Sequence, residues 1–449
     1  MRRPVTPLST YRFEIALAKV LWESGRTVVQ LAYNRLEPDD RRLMPRQLRI
    51  GLSDYRRNRK TGTTISTLFG KVRLRRFIYQ AMAAGEAGIF PLELALGLTA
   101  GQATPALADV VGRLIADLPQ QQTLCVLRER YAVQWSVGTL RKVTESLAEA
   151  LAPLRHKAQV AYLVGLLRKA VESPENGRPS LVVGRDGIMI PMRRAWEEAA
   201  TASISVYDGN GKRLGTTYLG RMPESGQGTM SEQLTQLIEG VLRAWTGVLP
   251  RLHYVTDAGH HPQDYFRTVL RRMKHPRTKY ALKWSWSVDF YHAAERITVL
   301  AESLFGATAK AAEWAEAQRK ILKTKRNGAA RVVQAARALR RSRRLKRSGW
   351  KFQTALDYLW KYRKHMTYAR YKRAGLPIGS GVTEAACKTI FTQRLKQSGM
   401  RWNKDSGQHV LDLRVILRGN VWARVRAQWL QQAEIRKFTD SAQIPLKTA

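Results

Sequence analysis

Cysteine is nearly absent from these 449 residues: Cys125 and Cys387 are the only two, far apart and in no CxxC pair. That excludes a disulfide framework and a cysteine-ligated zinc ribbon. Acidic residues are scarce as well, with 35 Asp+Glu set against 77 Lys+Arg and a formal net charge of +42. No run approaches the roughly 18 uninterrupted apolar residues of a membrane span. Arg2-Arg3 is followed by no apolar stretch before Arg12 and Glu14, so a secretory leader is not expected either. What is present points to a soluble, cytoplasmic protein without a membrane partner. A hydrophobic fraction of 44%, with 12 Trp, 16 Tyr and 10 Phe, supplies core material and excludes wholesale disorder. At about 100–200 residues per domain the length allows two to four domains. The charge needs a polyanion, and the commonest one in a cytosol is nucleic acid, held by Lys and Arg with release of counterions.

Within residues 10–36, Leu17, Val20, Leu21, Val28, Leu31 and Leu36 recur at mixed three- and four-residue steps, which predicts an amphipathic helix. Thr64-Ile65-Ser66-Thr67-Leu68 and Val72-Arg73-Leu74-Arg75-Arg76-Phe77 then alternate around Phe69-Gly70-Lys71, a β-hairpin pattern. Arg73 and Arg75 share one face of its second strand. That face suits a phosphate backbone and equally suits an edge strand protected by charge. Gln122–Tyr131, a short linker and Ser136–Leu151 have the spacing of a helix-turn-helix, with Thr139, Arg141 and Lys142 early in the recognition position, or of a plain helical hairpin. The chain thus divides into an N-terminal helix and basic hairpin region (1–103) and a helical region (104–173), which is a DNA-binding domain on the helix-turn-helix reading.

After the Pro174–Pro179 linker the period changes from helix to strand. Ser180–Arg185 is a short apolar strand stopping at Asp186-Gly187. Thr201–Tyr207 and Arg213–Leu219 flank a turn at Asp208–Lys212, and Met230–Trp245 is helical. Leu252–Thr256 is a fourth strand ending at Asp257, followed by a helix from about Pro262 to Met273 and a fifth strand at Lys279–Trp286. The order βββαβαβ over 180–288 predicts an α+β core. A helical insertion occupies 289–375. Between Arg319 and Arg373 it holds twenty Lys/Arg, including Arg343, Arg344, Lys346 and Arg347, against one acid, Asp357. Such lopsidedness suits contact with phosphates better than a salt-bridged surface. Trp314, Trp350 and Trp360 lie within it as local core, with stacking of one of them on an unpaired base as the alternative. Pro377–Gly381 breaks the chain, Val382–Gln397 is a helix with Glu384 in its first turn, and helices continue to about Phe438 before a loose tail at 439–449.

Three acids stand out by position. Asp186 ends the first core strand, Asp257 ends the fourth, and Glu384 opens the late helix. Should strands one and four be neighbours, their carboxyl ends set the aspartates side by side, and the late helix brings Glu384 across them. Clustered carboxylates repel and raise one another's pKa. Two Mg²⁺ ions, or Mn²⁺ in their place, remove that cost and supply what in-line phosphodiester cleavage needs. Hard oxygen ligands suit Mg²⁺, whereas His260 and His261 near Asp257 are too soft for it. Singly, each acid has an ordinary explanation: a turn for Asp186-Gly187, a helix cap for Asp257, and a favourable charge at a helix N-terminus for Glu384.

The segment Leu376-Pro377-Ile378-Gly379-Ser380-Gly381-Val382-Thr383-Glu384-Ala385-Ala386-Cys387-Lys388, followed by Gln393-Arg394-Leu395-Lys396-Gln397-Ser398-Gly399-Met400-Arg401-Trp402, resembles the C-terminal signature of bacterial insertion-sequence transposases of the ISKra type. Gly184–Met192, Tyr218–Glu224 and Asp289–Glu295 agree in collinear order, and Phe90-Pro91-Leu92-Glu93 more loosely. The resemblance implies a DDE transposase with an RNase H-like core interrupted by a helical insertion, and it puts Asp186, Asp257 and Glu384 at the three metal-binding acids. Asp289 and His292 are similar to a DxxH element of Mutator-like relatives that supports the active site or bound DNA; a satisfied core histidine is the other reading of His292. Gln393, Arg394, Lys396 and Arg401 would position phosphates. The first 150 residues would read terminal inverted repeats, and two ends joined to target DNA imply at least a homodimer, nucleoid-associated when on DNA. Two departures stand out: Ala81-Met82-Ala83-Ala84 replace the cysteines that members often carry, and Asp257-Ala258-Gly259-His260-His261 is a variant of the usual surroundings of the second acid. The rival readings are a catalytically inactive DNA-binding protein and an RNase H-fold nuclease.

Overall fold

The computed structural model describes residues 6–50, 52–83, 85–172, 177–342 and 349–440, with 433–440 by backbone alone. The chain is an α+β protein with two sheets among the described residues, arranged as two compact units. One unit takes Met1–Arg155, Asp412–Arg414 and Trp422–Ala449; the other takes His156–Leu411 and Val415–Val421. Among the described residues no helix is long and apolar enough to cross a membrane.

In the first unit β1 (Gln47–Ile50), β2 (Ser53–Thr67) and β3 (Gly70–Ala81) form an antiparallel sheet in that order. The expected hairpin is the tip of this longer one. Ile65, Val72 and Leu74 face inward while Lys71, Arg73 and Arg75 alternate outward. β3 is an edge strand, and its outer backbone is closed by side chains at helical spacing. The N–H groups of Arg73, Arg75 and Phe77 donate to Gln30 (2.8 Å), Asn34 (2.7 Å) and Glu37 (2.6 Å). The helix Pro7–Arg35 that brings Gln30 and Asn34 therefore does what a fourth strand would do. It buries none of its own residues, so the apolar stripe read from the sequence faces no core: Leu17, Val20, Leu21, Val28 and Leu31 are exposed. Helices Pro105–Asp117 and Gln120–Tyr131 follow, then Val137–Glu172, opened by Ser136 Oγ accepting the Thr139 N–H. This last helix runs through Pro153 for 36 residues, so no separate recognition helix ends at Leu151, and its two halves belong to different units.

The second unit is built on five strands in the order β6-β5-β4-β7-β8: β4 (Ser180–Pro191), β5 (Trp196–Tyr207), β6 (Arg213–Arg221), β7 (Arg251–Thr256) and β8 (Trp284–Val288). β4, β5 and β6 are antiparallel neighbours, while β7 and β8 run parallel to β4. Three strands differ from the sequence reading by several residues at one end, and the second of them, β5, begins at Trp196 instead of Thr201 because it pairs with the extended β4. β4 does not stop at Asp186 but pairs with β5 as far as Pro191↔Trp196, because Gly187 continues the ladder instead of turning. β8 starts at Trp284 because His275–Tyr280 forms a turn with Lys279 at φ 62°.

The insertion consists of helices Phe290–Phe305, Ala309–Thr324, Gly328–Ser342, Trp350–Tyr362 and Tyr368–Arg373. It is not a separate body. Leu300, Leu322, Val332, Phe352 and Leu359 join the same buried cluster as Leu181, Ile204 and Tyr254 of the sheet. Tyr371 and Tyr368 hydroxyls donate to the carbonyls of Trp286 and Val288 at 2.9 Å each, satisfying backbone groups of the last strand. Trp314 packs against this core, whereas Trp350 is 74% exposed and Trp360 39%, so the core reading fails for those two. Arg343, Arg344, Lys346 and Arg347 lie outside the described residues.

Candidate active site

The register of the sheet sets the two aspartates. β4 and β7 pair in parallel up to Gly184↔Val255, and two further steps along each strand arrive at Asp186 and Asp257. Asp257 is the first residue past β7, where the backbone turns sharply through Ala258 at φ 68°. Its Oδ1 accepts the Gly259 N–H at 2.8 Å, and its carbonyl accepts the Tyr358 hydroxyl of the insertion at 2.9 Å.

The helix Gly381–Ala386 lies directly on β4. Thr383 Oγ1 pairs with Ser203 Oγ at 2.9 Å, and a Cβ on Gly184 would overlap that same Thr383 oxygen. Only glycine lets the helix approach this closely. The approach places two residues three positions apart, Glu384 and Cys387, toward Asp186. Cys387 Sγ donates to Asp186 Oδ2 at 3.4 Å. Beyond it the helix widens to π geometry over Cys387–Thr392, an expensive local form that recurs at functional sites.

Electrostatics tie the three acids together. Burial, then the charge of Asp257, push the Asp186 carboxyl up to about 6; Glu384 adds to this, while the Gly187 N–H and the Cys387 thiol pull it down. The Cys387 thiol is itself pushed up, first by burial and then by Asp186, with Glu384 and Asp257 contributing. Three carboxylates thus act on one small region that has a surplus of negative charge. Beneath them, buried Arg185 anchors β4 through Ser231 Oγ (2.8 Å) and Gln227 Oε1 (2.9 Å).

Asp289 has a different task. It is fully buried, and its Oδ1 accepts the N–H groups of Tyr291 (2.5 Å) and His292 (3.1 Å), capping the helix Phe290–Phe305. Its Oδ2 accepts the Ser380 hydroxyl at 2.5 Å and the Ser380 backbone N–H. With both oxygens occupied, Asp289 fastens the turn that precedes Glu384. Ser380 Oγ is also 3.1 Å from Glu384 Oε1, and His292 Nε2 is 3.8 Å from that oxygen. The His292 side chain is 39% exposed, so it is not a core histidine.

Comparisons with models of protein families and with curated proteins return no match. The other residues singled out in the sequence are placed as follows. Arg73, Arg75, Arg141, Lys142, Gln393 and Arg401 are exposed, and Lys396 is half-buried with its ammonium 5.4 Å from the Trp196 ring. Arg394 is 1% exposed, against the Trp402 ring (5.4 Å) and Met400 Sδ (3.9 Å). It supports the interior and offers no charge to a phosphate, which corrects its assignment as a DNA contact. Sequence reasoning missed Ser380, Thr383, Cys387 and Tyr358. Only Cys387 had a signal, its spacing of three from Glu384.

Proposed function

We propose that this chain is a metal-dependent DNA transposase of the DDE kind, its second unit an RNase H-like core and its reaction the nicking of element ends and their joining to target DNA. The reading rests above all on one observation: Asp257, at the end of the parallel strand beside β4, and Glu384, on the overlying helix, both lie close enough to Asp186 on β4 to raise its proton affinity. A sheet order of 3-2-1-4-5 in core strands, with the first three antiparallel, is consistent with it.

The donor set fits hard divalent cations: every candidate ligand is a carboxylate oxygen, and the raised proton affinity of Asp186 marks a site short of positive charge. Asp186, Asp257 and Glu384 would hold two Mg²⁺ or Mn²⁺ ions, which when bound supply acidification of the attacking water and charge neutralisation at the scissile phosphate. The protein does the rest. Asp289 and Ser380 fix the entry to the Glu384 helix, Tyr358 fixes the Asp257 backbone, and Cys387 orients Asp186. Exposed Arg73, Arg75, Arg141, Lys142, Gln393 and Arg401, with half-buried Lys396, would contact phosphates of terminal repeats and target. Simultaneous binding of two ends calls for at least a homodimer, working in the cytoplasm on the nucleoid.

The test is product mapping. Full-length protein is incubated with DNA carrying its own gene and flanks, in Mg²⁺ or Mn²⁺, beside Asp257→Ala. New 3′-OH ends at inverted repeats bracketing the gene, some joined to other DNA and all absent in the variant, are expected. Cleavage of RNA or junctions without joining would favour a nuclease, and tight binding without cleavage a binding protein.

A further inference from the structure

β4 and β5 do not end with the sheet. β7 accompanies β4 only to Gly184, and β6 accompanies β5 only from Ala200, so Ile188–Pro191 and Trp196–Ala199 continue as a two-stranded ribbon beyond both neighbours. The tip of the ribbon is fastened. Trp402 N–H donates to Pro191 O at 3.1 Å and Arg193 N–H donates to Trp402 O at 3.0 Å. A fixed tip is an unusual place for an indole with 52% of its surface in solvent, and Trp196 is there. The Lys396 ammonium lies 5.4 Å from the centre of its ring, and the same tip carries exposed Arg193 and Arg194 in the turn and exposed Arg401 beside Trp402. The nearby Glu197 carboxylate lies 4.0 Å from Lys404, and Glu198 folds over Gly187.

An exposed aromatic face on a tip that carries several cations is the arrangement that takes a base on the ring and its phosphates on the charges. Neither a purely apolar partner nor paired DNA makes use of both. The ribbon starts at the strand that carries Asp186. Pro191, the partner of Trp196, is five steps along β4 from Asp186, which at about 3.3 Å per residue is about 17 Å. At about 3.4 Å per nucleotide this is the length of about five nucleotides of one strand.

We infer that Trp196 is a stacking platform for an unpaired nucleotide of bound DNA, with Arg193, Arg194, Lys396 and Arg401 holding the flanking phosphates. The inference rests on the proposed function for the placement of DNA at Asp186. Its test does not rest on catalysis. Fluorescein-labelled dT12 and a 12-base-pair duplex are titrated by anisotropy with full-length protein in EDTA. Trp196→Ala, checked for an unchanged melting temperature, is expected to weaken dT12 binding about 5- to 100-fold and to leave the duplex within about twofold. Trp196→Phe should recover most of the loss. Equal weakening on both probes, or no change on either, overturns the platform. Should the platform hold while the wild type neither cuts nor joins DNA, the nucleic-acid surface stands and the catalytic reading falls. Should cleavage hold while Trp196→Ala binds dT12 normally, the reverse is true.

Discussion

Asp186→Asn should make the metal-free protein more stable at neutral pH and no more stable in acid. Burial and the charge of Asp257 raise this carboxyl from 3.8 to about 6 in the folded chain. Below about pH 3 both the folded and unfolded chains hold the proton, and the site costs nothing. Between about pH 4 and pH 6 the unfolded chain gives up its proton while the folded chain keeps it, so stability falls across that window; above pH 6 both are ionised and the loss is complete. At about 1.4 kcal/mol per tenfold change in proton affinity, the loss above pH 6 is about 3 kcal/mol. Asparagine keeps the shape and never ionises. Urea unfolding in EDTA at about pH 3 and about pH 7.5 should therefore give a variant indistinguishable from wild type at the lower pH and more stable by about 3 kcal/mol at the higher. Addition of Mg²⁺ should raise wild-type stability at pH 7.5 and leave the variant nearly unaffected. An equal stability difference at the two pH values, or a destabilised variant at pH 7.5, would refute the reasoning.

Asp289→Asn puts an amide against the two Ser380 donors and should cost about 2–4 kcal/mol by thermal or urea unfolding, with catalysis falling as the Glu384 helix loses its anchor. Gly184→Ala should cost about 1–3 kcal/mol because its methyl overlaps Thr383 Oγ1, and adding Thr383→Ala should return more than half of that, a coupling measurable in a double-mutant cycle. Arg73→Ala and Arg75→Ala should each lower the slope of log affinity against log salt by about 0.9 on duplex DNA if each makes one phosphate contact. Buried Arg394→Ala should leave that slope alone and lower the melting temperature instead.

The strands and helices that carry the acids were legible because burial leaves a period: Leu252–Thr256 and Ser180–Gly184 are apolar runs with both faces covered, and such runs announce themselves. The extension of β4 past Asp186 was not, since an Asp-Gly pair signals a turn in one dimension and only the partner strand β5 overrules it. The amphipathic stripe of the first helix misled for the opposite reason. Periodicity reports what could be buried, and here the polar Gln30 and Asn34 make the contact with β3. Charge was equally ambiguous: Arg394 and Arg401 read alike in a basic segment, yet one packs under Trp402 and the other faces water. Asp289 could be singled out only by resemblance, and its task of fastening Ser380 belongs to a contact across 91 residues that no local pattern encodes.

The most direct measurement is where a divalent metal sits on the chain. Fe²⁺ in place of Mg²⁺, with ascorbate and peroxide, cuts the backbone next to the bound ion, and mass spectrometry locates the cuts. Three clusters of cuts are expected, around Asp186, Asp257 and Glu384, suppressed together by excess Mg²⁺ and lost in Asp257→Asn. Cuts at one of these positions alone, or an unchanged pattern in Asp257→Asn, would contradict a metal site shared by the three acids.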